Sequence, residues 1–317
     1  MTDSPLKAFI RICTLGMLLH SQLSSAGPLR DLIMERRAQR QTDPLDDDDS
    51  ANSVALPPGV RLLRDIAYGS DSKQRFDVYL PQQADHAPVI FMVHGGGWRR
   101  GDKTMKTSVE NKMAHWTRKG FIFISTDYRL LPDTKPLDQA KDVAHALATA
   151  QSKAASWGGD PYRFIVIGHS AGAHLAALIA SSLAIAPQAG ASPWLGTVSL
   201  DSATLDVEQT MSSKHMRLYD PAFGSDPAYW KAASPYAVLQ AKPQPILAVC
   251  SSRRDDSCPQ AKHFTEKVSS LGGRAQVLEK NMTHKEINDK LGQDEEYTRE
   301  VDAFLGMLDP AIAARLR

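Results

Sequence analysis

Cysteine is scarce in this chain, three residues in 317, and no cysteine–histidine cluster has the spacing of a metal site. Net charge is nearly absent. The 37 basic and 36 acidic residues leave a formal charge of +1, which argues against a nucleic-acid partner or an anionic membrane surface. Long apolar runs are missing too: the stretch Ile12 to Leu19 is too short to span a bilayer, so no stable membrane insertion of the mature protein is expected. No internal repeat is visible. What is present is a hydrophobic fraction of 42% in a chain long enough for one large domain, which describes a globular enzyme acting on a small molecule. Oligomeric state is not legible at this level.

The N-terminus differs from the rest. Lys7 and Arg11 precede the apolar run, and Ser24-Ser25-Ala26 places small residues where a signal peptidase cuts. Residues 1–26 therefore read as a secretory signal, and the mature protein as secreted or periplasmic. No lipobox stands ahead of Cys13. Residues 27–57 read as a polar, acidic linker. The run Asp46 to Asp49 lacks the alternating ligands and glycine of a calcium loop. Leu56-Pro57-Pro58-Gly59 marks entry to a domain over 58–309, followed by a tail at 310–317.

Inside that domain apolar and amphipathic segments alternate. Strands are expected over 61–68, 75–80, 88–93, 121–126, 163–168, 196–200, 245–250 and 275–279. Helices are expected over about 105–119, 137–156, 171–184, 258–271 and 294–308. Continuous apolar strands after position 88 suit a mainly parallel sheet covered on both faces, and the first two suit an antiparallel edge: an α/β fold.

Two motifs carry chemistry. The run Phe164-Ile165-Val166-Ile167 ends in Gly168-His169-Ser170-Ala171-Gly172 and passes into an alanine- and leucine-rich segment. A strand, a tight turn and a helix with one serine at the apex make a nucleophile elbow. Upstream, another apolar run enters His94-Gly95-Gly96-Gly97-Trp98. Glycine amides can approach the oxygen that becomes negative during acyl transfer, so Gly96, Gly97 and Ala171 are the expected oxyanion donors. A phosphate loop does not fit, because Asp102 stands where that pattern needs lysine. His94 reads as structural.

With both motifs in order, the chain resembles α/β-hydrolase-fold carboxylesterases over roughly residues 59–308. The resemblance is to the branch with HGGGW and GHSAGAHL, which also contains kynurenine formamidase-like enzymes. It implies an eight-stranded sheet, no cofactor, and an acid and a histidine after late strands. His284, in the loop after the last strand, suits general base and acid. His263 lies inside an amphipathic helix and suits a surface role. Asp255, four residues before Pro259, resembles the family acid; Asp256 beside it and Asp201 after strand 196–200 are the alternatives. The expected triad is Ser170, Asp255 and His284, and the expected reaction is hydrolysis of short-chain or aryl esters through an acyl-enzyme. An arylformamidase-like amidase is the alternative, and a non-catalytic binding module a distant third.

Two features remain. Residues 203–236 lack a strong strand and read as a small cap, with Met211, Met216, Tyr219, Phe223, Tyr229 and Trp230 as candidate substrate walls. Cys250 and Cys258 flank the loop bearing Asp255, so a disulfide there would pin that loop, stabilising by about 2–3 kcal/mol on a chain-entropy argument.

Overall fold

The apolar runs at 88–93, 122–126, 164–168, 196–200 and 246–250 become strand segments buried along their length. The computed structural model describes residues 54–317; the expected signal at 1–26 and residues 27–53 of the expected linker lie outside the described residues. Eight strands form one sheet: β1 (Arg61–Ala67), β2 (Arg75–Leu80), β3 (Ala87–Val93), β4 (Ile122–Thr126), β5 (Gly159–His169), β6 (Gly196–Leu200), β7 (Ile246–Ser251) and β8 (Ala275–Lys280). Their spatial order is β1-β2-β4-β3-β5-β6-β7-β8. β2 pairs antiparallel with both β1 and β4, and the pairs from β4 onward are parallel. The expected α/β-hydrolase topology is therefore present.

Alternation along the strands builds two cores. Val89, Phe91 and Val93 of β3 and Phe164 and Val166 of β5 face one layer, where they meet α2 (Pro136–Lys153) and α3 (Ala171–Ser181). Ile90 and Met92, with Ile165 and Ile167, face the other, against α1 (Lys106–Arg118). A strand with a core on each side has no room for polar alternation, which is why these runs read as continuous in sequence.

After the short helix α4 (Ile185–Gln188), residues 203–236 carry α5 (Val207–Met211), α6 (Tyr219–Phe223) and α7 (Pro227–Ala233), with α8 (Pro235–Val238) completing the insertion. α9 (Ser257–Ser270) and α10 (His284–Asp289) flank β8, and α11 (Glu295–Gly306) follows. Two expectations change. Residues 310–317 form no free tail: α12 (Pro310–Leu316) is capped by the Asp309 carboxylate, which accepts from the Ala311 and Ile312 amides, and Ile312 is buried in the second core. Residues before 58 also belong to the domain, since Val54 packs on that core. Among the described residues, no helix is long and apolar enough to cross a membrane.

Candidate active site

Parallel strands place their carboxyl ends along one edge, and the chemistry-bearing residues collect there. Ser170 follows β5 and caps α3, with φ 55° and ψ −119°, a strained conformation for a residue with a side chain. Its amide donates to the Leu200 carbonyl at 2.9 Å, which ties the elbow to the end of β6. The turn is feasible because a Cβ at Gly168 would lie 2.2 Å from the Gly172 oxygen, and one at Gly172 would lie 2.3 Å from the Val93 oxygen. α3 is buried from end to end, so the packing of the whole helix holds the serine in place.

The loop after β3 lies against the elbow: a Cβ on Gly95 would come 3.1 Å from the Ser170 Cβ. Tyr128 stacks on His94 with ring centroids 4.4 Å apart and donates to the His94 carbonyl at 3.0 Å. His94 Nδ1 is 2.7 Å from the Gly95 carbonyl. Because a carbonyl only accepts, that nitrogen carries the proton. Burial lowers the His94 pKa to about 4, so the ring stays neutral and serves as a brace, as expected. Among the described residues, the Gly96 and Gly97 amides find no backbone acceptor, as an oxyanion site requires.

His284 opens α10 behind a capping box in which Thr283 and Glu286 satisfy each other's amides. Its ring is buried and lies 4.5 Å, centroid to centroid, from that of His169, the residue before Ser170. His169 Nε2 donates to the His284 carbonyl at 3.1 Å, so the elbow also holds the backbone of the histidine.

The structure pairs His284 with Asp201, one of the alternatives, and not with the expected Asp255. His284 Nδ1 lies 2.6 Å from Asp201 Oδ2, and Asp201 is wholly buried just beyond β6. Asp255 is exposed and makes no hydrogen bond to His284; Asp256 is also exposed and pairs with Arg254 at 3.2 Å. The physical reason lies in the 251–257 loop. It does not present a carboxylate inward but wraps Asp201 with donors: the Ser251 amide at 2.7 Å and the Ser257 hydroxyl on Oδ1, and Arg254 Nη1 at 2.9 Å on Oδ2. Burial by itself would raise the Asp201 pKa. The His284 hydrogen bond, the Arg254 charge and the Ser257 hydroxyl outweigh it and hold the carboxyl well below the usual range.

The Cys250–Cys258 disulfide is present and closes this loop. It pins the loop, as expected, and with it the donors around Asp201. His263 is partly exposed on α9 and faces Asp206 at 3.5 Å, away from the serine.

The cap residues divide. Phe223 and Tyr219 pack edge-on against Trp98 at 5.1 and 5.9 Å, forming an aromatic wall beside the glycine loop. Trp98 Nε1 donates to His174 Nδ1 at 3.3 Å, and His174 Nε2 bonds the Ala233 carbonyl at 2.8 Å, which couples that wall to the cap. Met211 is buried in the core, with Met216 packed against it. Tyr229 accepts from the Leu137 amide at 3.2 Å, which ties the cap to α2, and Trp230 donates to the Gly224 carbonyl at 3.0 Å within the cap. His174 and Arg254 were missed in sequence. A buried-face histidine at helical spacing from the serine, and two arginines in a loop expected to carry an acid, were the available signals.

A family model, BD-FAE, matches residues 76–268. An isoprenylcysteine alpha-carbonyl methylesterase of Arabidopsis thaliana is 30% identical over 72% of this chain and 57% of its own length. Esterase LipC of Mycobacterium tuberculosis is 30% identical over 68% of this chain and 56% of its own. The chain thus spans little more than half the length of these relatives. Among solved structures, a truncated carbohydrate esterase from gut microbiota superposes with TM-score 0.69 at 18% identity, covering 81% of this chain and 99% of that one. Apo esterase 2 of Thermogutta terrifontis gives 0.65 at 23% identity, covering 81% and 98%. At such identities the likeness is one of fold.

Proposed function

Because this chain belongs to the BD-FAE family of α/β-hydrolase carboxylesterases, we propose that it hydrolyses carboxylic esters by way of an acyl-enzyme on Ser170. The observation that carries this reading is the short Asp201–His284 hydrogen bond beside a strained serine at an elbow. With the Asp201 carboxylate accepting from Nδ1–H, the imidazole keeps its lone pair on Nε2. Nε2 takes the Ser170 proton as Oγ attacks the ester carbonyl. The amides of Gly96, Gly97 and Ala171 receive the oxyanion. Collapse breaks the ester C–O bond, and the alcohol leaves with the proton from Nε2. Water repeats the sequence on the acyl-enzyme and releases the carboxylic acid.

The substrate is a small ester, short-chain or aryl, a choice supported by the aromatic wall of Trp98, Tyr219 and Phe223 next to the glycine loop. Export is part of the same proposal and is favoured by a disulfide in the catalytic domain, since such bonds persist in oxidising compartments. Initial rates on p-nitrophenyl esters from acetate to palmitate test the substrate reading. Turnover should peak among the short acyl chains. A peak at palmitate would remove the short-chain preference, and inactivity on every ester with turnover of an N-formyl aryl amine would replace the ester reading altogether.

A further inference from the structure

Arg254 stands where an ester-hydrolysing triad has no evident need of a cation. Its Nη1 donates to Asp201 Oδ2 at 2.9 Å and to the Asp201 carbonyl at 3.3 Å, and lies 2.9 Å from His284 Nδ1. When Nδ1 bears the proton that Asp201 accepts, this last contact sets donor against donor, so it is electrostatic opposition and not a hydrogen bond. The side chain is largely buried, and its charge acts through little water.

We propose that Arg254 is a positioning residue that offsets the charge of Asp201 at His284, so that the carboxylate orients the imidazole without also favouring a second proton on the ring. A buried carboxylate against Nδ1 orients the ring and also stabilises the imidazolium, in which Nε2 can no longer accept the serine proton. A guanidinium fixed on the same carboxylate, 2.9 Å from Nδ1 where the carboxylate oxygen is at 2.6 Å, retains the orientation and opposes the imidazolium. The device is built in: the loop carrying Arg254 is closed by the Cys250–Cys258 bond, and Asp256 holds the guanidinium at 3.2 Å from the other side.

The other groups around the pair do not supply this offset. His169, on β5, is kept neutral by burial and by the neighbouring His284. Tyr219 of the cap and Tyr297 of α11 are raised by burial and uncharged at working pH. Lys112 of α1 spends its ammonium on the Thr107 and Asn288 carbonyls. Glu286 of α10 is exposed to solvent, bonds the Thr283 amide and pairs with Arg253 and Lys290. Among the described residues, Arg254 is the cation in contact with both Asp201 and His284.

The proposal rests on the serine–histidine–aspartate reading and deepens it. The test is the pH profile of kcat/KM on p-nitrophenyl acetate between pH 5 and 9 for the unsubstituted protein, Arg254→Lys, Arg254→Gln and Arg254→Met, with Ser170→Ala in parallel. Loss of the charge should move the midpoint of the acid limb upward by about one pH unit in the Gln and Met variants. The Lys variant should return it toward that of the unsubstituted protein. Gln keeps a donor for Asp201 and is the gentler change should Met fold poorly. An unmoved midpoint with a rate lowered equally at all pH values would make Arg254 a packing residue and overturn the proposal. So would a downward shift, or a Gln variant with the unsubstituted profile. If Ser170→Ala keeps its rate, the underlying triad reading fails instead, and the two failures are thereby separable.

Discussion

Ser170→Ala is expected to lower kcat/KM on p-nitrophenyl acetate by roughly 10⁴-fold or more while leaving the fold intact. The loss follows from chemistry, since without Oγ no acyl-enzyme forms and only the oxyanion donors and substrate binding remain. The stability half of the prediction follows from the elbow itself. The Ser170 side chain makes no capping hydrogen bond, and its unusual backbone angles are imposed by strand, helix and the Leu200 carbonyl. Alanine would occupy the same angles under the same constraint, so thermal stability should shift by no more than about 0.5 kcal/mol. Near-normal turnover in the variant would remove Ser170 from the mechanism.

Asp201→Asn is expected to cost roughly 10³- to 10⁴-fold in kcat, whereas Asp255→Asn should stay within about twofold of the unsubstituted protein. The donors around Asp201 decide the matter. Oδ1 accepts from the Ser251 amide and the Ser257 hydroxyl, and Oδ2 accepts from His284 and Arg254. An asparagine can satisfy one of these sets with its oxygen but must turn its NH₂ toward the other. With the NH₂ facing His284, the imidazole is driven to the tautomer protonated on Nε2, which cannot take the serine proton. With the NH₂ turned inward, two buried donors lose their acceptor, and stability falls by about 1–3 kcal/mol. Asp255 is exposed and plays no part in this geometry, so a large loss on its substitution would restore it as the acid.

Much of this was legible in sequence, because strands buried on both faces leave continuous apolar runs and the elbow leaves two glycines at fixed spacing. Ser170, His284, the glycine loop and the cysteine pair could all be read without coordinates. The carboxylate partner of His284 could not, because two carboxylate positions follow adjacent strands, β6 and β7, and both reach the same edge of the sheet. What separates them is which carboxylate the 251–257 loop surrounds with donors. That depends on the direction of the Arg254 and Ser257 side chains, a property of the turn that residue types alone do not specify. The cap posed a related difficulty: its aromatic residues share a composition, yet Tyr219 and Phe223 meet Trp98 while Tyr229 ties the insertion to α2 and Trp230 bonds within it. The C-terminal helix was missed although Asp309-Pro310 is a start signal, because the segment after it is short.

The most direct test of the account is covalent trapping of the nucleophile. Incubation with an activated p-nitrophenyl alkylphosphonate should release one p-nitrophenolate per chain, form an Oγ–P bond, and abolish esterase activity in parallel. Peptide mass mapping should then place a single adduct on the peptide that contains Ser170, and Ser170→Ala should take up none. Full inactivation with the adduct on another residue, or esterase activity that persists after Ser170 is fully modified, would contradict the assignment of Ser170 as the residue that carries the acyl group.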